Sequence, residues 1–156
     1  MEKRFYFSFL VIICFNLIFS ACSNSDDDGD VNDNSEQITQ VENTVESGTW
    51  RITNFIDSGE NETSDFTGYN FSFNSDGSLV ATNGTDTLTG TWSVTDDSSG
   101  SDDDIDFNIF FPVPDTNDFE DLNDDWDIIS YTSTRIELID ISGGNGGTDN
   151  LTFEKN

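Results

Sequence analysis

The sequence predicts an all-β fold, an antiparallel up-and-down meander closing into a small eight-stranded barrel. Three observations predict it. Beyond residue 46 the apolar residues recur with period two, as in strands with one buried and one solvated face. Turn residues separate the alternating runs: Ser75-Asp76-Gly77, Asn83-Gly84, Ser98-Ser99-Gly100 and the glycine-rich 143–147. The connections are short, which favours antiparallel neighbours, and closure hides the sheet edges. A flattened sandwich is the alternative.

Each element follows from its residues. The first strand, 48–56, carries Trp50 and Ile52 on one face. In 68–74, Tyr69, Phe71 and Phe73 alternate with Asn70, Ser72 and Asn74. The Asp76-Gly77 turn leads into 78–83. In 87–95, Leu88, Gly90, Trp92 and Val94 alternate with threonines and a serine. In 104–111, Ile105, Phe107, Ile109 and Phe111 share a face, and Pro112 and Pro114 end the run. Residues 115–125 are the helix candidate, with Asp118 as cap and Phe119 and Leu122 packing. Strands 126–132 and 135–141 meet in a hairpin at Thr134-Arg135, and 149–155 completes the set. Trp50, Phe71, Phe73, Trp92, Phe107 and Trp126 are the expected barrel interior. They either fill it or line a small ligand cavity.

The N-terminus has a different character. Glu2, Lys3 and Arg4 precede an apolar run from Phe5 to Ser20, then Ala21 and Cys22. A basic head, apolar middle and small-residue exit describe a secretory signal peptide, here residues 1–21. Ser8 and Asn16 interrupt the run, which falls short of the about 20 apolar residues of a membrane span. Cys14 belongs to this segment, so Cys22 is the only cysteine beyond it and no internal disulfide is expected. Residues 22–45 are acidic and free of aromatics, the composition of a flexible tether. Residues 46–156 form one domain, with all three tryptophans and nine of the fourteen phenylalanines.

The formal net charge is −27, from 5 Lys and Arg against 32 Asp and Glu. Beyond residue 21 the cations are Arg51, Arg135 and Lys155. Such a surface repels nucleic acid and anionic headgroups alike, so no nucleic-acid partner is expected. The protein should remain monomeric through self-repulsion. There is no histidine, hence no Ser-His-Asp triad and no imidazole metal site. Gly143 to Gly147 lacks the lysine and helix of a phosphate loop. Carboxylate pairs suited to glycoside hydrolysis arise by chance among so many acids. Neither catalysis nor a cofactor is expected. The acidic runs around Asp96–Asp106 and Asp115–Asp127 lack the EF-hand order. They read as solvated loops and not as a metal site, with weak binding of a hard cation as the alternative.

Gly48-Thr49-Trp50 and Gly90-Thr91-Trp92 repeat a tripeptide, and the aromatic strand from Gly68 to Phe73 with its Asp76-Gly77 turn lies between them. In this order the domain resembles the lipocalin-like lipoproteins of Bacteroidetes. The exit Ser20-Ala21-Cys22 likewise resembles a bacterial lipoprotein signal, whose cysteine is acylated. The resemblance implies palmitate on Cys22 and an outer-membrane anchor. Ser25, Asp26, Asp27 and Asp28 resemble the surface-export signal of that group; otherwise they are the start of an acidic linker. The family also implies an arginine stacked on the first-strand tryptophan. Arg135 is the candidate, its other reading being a surface residue paired with carboxylates. The implied function is a lipid-anchored, non-catalytic envelope lipoprotein that binds a small apolar or amphipathic molecule. The alternative is a surface-exposed structural or protein-interaction module with a filled core.

Overall fold

The computed structural model describes residues 34–96, 105–141 and 147–156. The expected signal peptide, Cys22, Ser25 to Asp28 and the tether as far as residue 33 lie outside the described residues. One helix, α1 (Asn34–Val45), precedes nine strands. These are β1 (Trp50–Asp57), β2 (Glu60–Asn61), β3 (Asn70–Phe73), β4 (Ser78–Thr82), β5 (Thr87–Asp96), β6 (Ile105–Phe110), β7 (Asp124–Thr132), β8 (Arg135–Ile141) and β9 (Thr148–Lys155). From β3 onward each strand pairs antiparallel with the next, and β9 returns to β1. The result is a closed eight-stranded up-and-down barrel. The ninth strand, β2, is a two-residue hairpin arm on β1 that the period-two pattern is too short to signal.

The alternation works as burial. Along β5 the pattern places Gly90, Trp92 and Val94 inward and the threonines and Ser93 outward. Gly90 is required by closeness of approach, because a Cβ there would sit 2.2 Å from the Phe110 carbonyl oxygen on β6. The β3–β4 turn closes through Gly77 at φ 79°, a conformation favouring glycine. The Asp76 carboxylate accepts from the Ser78 amide and hydroxyl.

Trp50, Phe71, Phe73, Trp92, Phe107 and Trp126 are all buried. Their rings do more than line a wall. Phe73 on β3 touches Phe107 on β6 at 5.5 Å and Phe153 on β9 at 5.5 Å, centroid to centroid. Phe55 on β1 meets Trp126 on β7 at 6.3 Å. These strands are not neighbours in the sheet, so the contacts cross the interior. Most are edge-to-face, the arrangement the ring quadrupole favours, and each adds about 0.5–1.5 kcal/mol beyond its buried area.

Both mouths are covered. At the base, where β1 begins and β9 ends, α1 lies across the opening with Val41 and Val45 fully buried. Asn34 donates to Asp96 of β5, Tyr131 of β7 donates to Gln40, and the Trp50 indole donates to the Val45 carbonyl. Of the flexible tether expected over 22–45, residues 34–45 are instead helical: Ile38, Val41 and Val45 recur at helical spacing and have a barrel to bury against. At the far end Phe66, Phe111, Phe119 and Leu122 form the plug. The helix expected over 115–125 is only a 3₁₀ turn, Glu120–Leu122. Phe119 and Leu122 pack as anticipated, but Asn117, not Asp118, accepts the Phe119 amide. Six acids in eleven residues give a longer helix little to bury.

Phe73 touches three other rings, so Phe73→Ala should cost about 3–5 kcal/mol. Thermal denaturation should show the midpoint falling by more than about 10 °C. Phe110→Ala, at a ring 54% exposed, should change stability by no more than about 0.5 kcal/mol. Amide exchange supplies a second check: the backbone from Ile38 to Val45 should be protected, as a capping helix requires and a tether does not.

Candidate functional site

Two β-bulges shape the outer wall. On β1 the register with β9 shifts between Ile52 and Asn54, which leaves Thr53 as the extra residue. On β7 the register with β8 shifts between Ile128 and Ser130, which leaves Ile129 extra. A bulge bends its strand and re-aims a side chain. Between these two bends the outer face of β1, β9, β8 and β7 holds a groove of about 420 Å³. Thr53, Asn54, Ile56, Ile129, Arg135, Glu137, Leu138, Asn150, Thr152 and Glu154 line it.

The strand registers set the groove out in rows. Arg51, Glu154, Arg135 and Thr132 align across β1, β9, β8 and β7. Asn54, Thr152, Glu137 and Ser130 form the next row. Ile56, Asn150, Ile139 and Asp127 form the third. Thr152 points outward yet is only 6% exposed, which makes it the floor. Arg51, Glu154 and Arg135 of the first row form an ion network with Glu137 of the second. Arg135 bonds Glu137 at 2.7 Å and Glu154 at 2.9 Å, and Arg51 bonds Glu154 at 3.1 Å. The Arg135 guanidinium and the Ser130 hydroxyl hold the Glu137 carboxyl below the usual carboxylate range. The same bond to Glu137 pushes Arg135 further up. Two guanidinium groups balance the two carboxylates of the first two rows, and Asp127 adds an acid at the edge of the third.

Arg135 therefore does not stack on Trp50, and its ion pairs are those of the surface reading. The cation over the Trp50 ring is Lys155, whose Nζ lies 5.3 Å from the ring centroid and donates to the Ser47 hydroxyl. The register explains the exchange, since Lys155 is directly opposite Trp50 on β9.

The six aromatic residues expected as interior or ligand-lining lie in the barrel, away from this groove. Asp97 and Asp102 to Asp104 lie outside the described residues. Among the described residues no three carboxylates are grouped so as to hold a metal ion. Sequence reasoning missed the groove because its polar residues are the ordinary wet side of alternating strands. The bulges that bring them together leave no distinct mark in the pattern.

The acids crowd the far end: Asp57, Glu60, Glu62 and Asp65 at and after the end of β1, Asp118, Glu120, Asp121 and Asp124 before and in β7. Burial, then mutual repulsion, raises Glu62 and Asp121. Asp124 is pushed up to about 6, first by burial and next by its hydrogen bond with Asp125, with Asp140 adding repulsion. A carboxyl raised in the folded state binds protons there that the unfolded chain releases, so stability falls as pH rises through the interval. Glu137, held low by its bonds, contributes stability that is lost only as pH drops below its ordinary value near 4. The melting temperature should rise from about pH 7 to about pH 5 and fall below about pH 4. Asp124→Asn should raise the value at pH 7 and flatten the upper limb, as read by melts across a pH series.

No family model matches the chain, and no curated protein is significantly similar to it. Among solved structures it is similar to the crystal structure of a DUF4847 family protein from Bacteroides vulgatus, at 21% sequence identity. The match covers 74% of this chain and 97% of that one, with a TM-score of 0.48.

Proposed function

We propose that the chain is a lipid-anchored, non-catalytic lipoprotein of the cell envelope whose lipocalin-like barrel binds through its outer wall and not through its interior. The observation that carries this reading is the set of ring contacts across the barrel, from Phe73 to Phe107 and Phe153 and from Phe55 to Trp126. Those side chains occupy the space in which an apolar ligand would lie, and packed interiors yield such space only at a large cost. The two covered mouths add to it, since a ligand bound inside would have to displace α1 or the Phe66–Phe119 plug. Of the two functions expected from the sequence, the filled module of the envelope surface is favoured over the small-molecule carrier.

Anchoring rests on the sequence. The apolar run ending in Ser20-Ala21-Cys22 makes Cys22 the acylation site. Multiple acyl chains hold far more firmly than one. The segment that would carry the lipid joins the domain through α1, at the barrel base. The face remote from that junction is the acidic end, which keeps the domain off anionic headgroups. The absence of histidine and of any thiol beyond Cys22 supports a non-catalytic role.

Cys22→Ser should move the protein from the membrane to the soluble fraction or leave its signal uncleaved. Unchanged fractionation and mass would refute the anchor. Titration with an apolar fluorescent probe should give no saturable signal and no change in the emission of Trp50, Trp92 and Trp126. Saturable quenching would place a ligand in the interior and overturn the outer-wall reading.

A further inference from the structure

We propose that the outer groove between the two bulges is a binding site for a neutral, polyhydroxylated ligand, a short stretch of carbohydrate. The proposal rests on the reading that the barrel binds through its outside, and it names the chemistry.

The starting observation is which polar side chains are already committed. Asn34, Asn43, Asn61, Asn70, Asn74, Asn83, Asn108, Asn117, Asn123 and Asn156 all spend their side-chain amides on hydrogen bonds within the protein. Asn54 and Asn150 make no side-chain hydrogen bond to any described residue, and both line the groove. Thr152 on the floor between them is equally uncommitted, although it is nearly buried. Half-buried donors and acceptors left open in one concavity favour a ligand that can satisfy them.

The type of open group narrows the ligand. A carboxamide offers a donor and an acceptor side by side, and a threonine hydroxyl does both. Adjacent hydroxyls of a sugar also donate and accept, so they match such groups pairwise. An apolar ligand would strand these amides away from water at a cost of about 1–3 kcal/mol each. An anion would have to approach a chain of net charge −27 and would find Arg135 and Arg51 already bonded to Glu137 and Glu154. A cation would find both carboxylates already held by guanidinium groups. A peptide binding as an added strand needs an unpaired strand edge, and the two strands under the groove floor, β9 and β8, are paired on both sides. Ile56 and Ile129 supply the apolar flank on which the C–H face of a sugar ring rests. At about 420 Å³ the groove is at the small end of ligand sites.

The test uses the full-length protein in a non-glycosidic detergent, labelled so that asparagine side-chain resonances are resolved. Neutral oligosaccharides of gluco, manno and galacto configuration are titrated in turn, each beside an acidic, uronate-containing counterpart. At least one neutral oligosaccharide should shift the Asn54 and Asn150 NH₂ resonances saturably, and its acidic counterpart should bind more weakly. Asn54→Ala and Asn150→Ala should each weaken binding by about five- to tenfold without lowering the melting temperature. Asn108→Ala, an amide already bonded to Thr95 on another part of the wall, should leave binding unchanged. No saturable shift with any neutral oligosaccharide, or an Asn54→Ala variant whose Asn150 resonance still saturates with unchanged affinity, would overturn the proposal. Saturation of the same resonances by neutral peptides in place of sugars would also overturn it, while the outer-wall reading stands. Failure of that reading shows separately, as saturable quenching by the apolar probe.

Discussion

Three buried indole N–H groups set the constraint on which the rest of the structure depends. A tryptophan ring contributes a large apolar area to a core, but its N–H must find an acceptor or cost about 1–3 kcal/mol. Here no indole reaches an acceptor inside the barrel. Trp50 donates to Val45 at the end of α1, Trp92 to Asn74 at the β3–β4 turn, and Trp126 to Leu122 at the 3₁₀ turn before β7. Each ring thus ties an adjoining segment to the wall. One set of bonds satisfies the core and positions the base helix, a hairpin and the far-end plug. Asn123 adds a two-point clamp, accepting from the Phe111 amide and donating to its carbonyl, so the long β6–β7 connection closes on itself.

Charge is arranged with the same economy. Beyond residue 21 the chain has three cations, and the registers place all of them around the base end of β1, β8 and β9. Exposed ion pairs of this kind add little stability. Their effect is on the surface potential. Arg51 and Arg135 offset Glu137 and Glu154, while the far end gathers carboxylates whose pKa values burial and repulsion raise. The groove lies beside these ion pairs. A chain this acidic presents anionic ligands with a repulsive surface.

Much of the fold was legible in the sequence because burial in a small barrel follows chemistry residue by residue. Phe71 and Phe73 between polar neighbours, or Trp92 and Val94 between threonines and Ser93, have one arrangement that hides them. The strands accordingly lie within about two residues of expectation, and the Asp76-Gly77 and Thr134-Arg135 turns stand where turn chemistry puts them. The helix α1 was not legible as ordered. Its mean hydropathy is low, and three aliphatic residues among nine polar ones justify a helix only when a barrel mouth receives them. The stacking cation was misplaced for a different reason. The register between β1 and β9, which sets Lys155 against Trp50, depends on pairing between the two ends of the domain.

The groove shows why the candidate site was the least legible part. Asn54, Thr152 and Asn150 each occupy an outward position on an ordinary strand, where a polar side chain is the expected choice and has no distinguishing mark. They become a site only because β1 and β7 each carry one extra residue, and the bends at Thr53 and Ile129 turn a convex wall concave. A filled barrel cannot adapt its interior to a ligand without giving up ring contacts. Its outer wall carries no such cost, since outward residues contribute little to the core. In this chain the interior is thus committed to stability, and in the proposed reading recognition falls to the few outward side chains whose hydrogen bonds the fold leaves open.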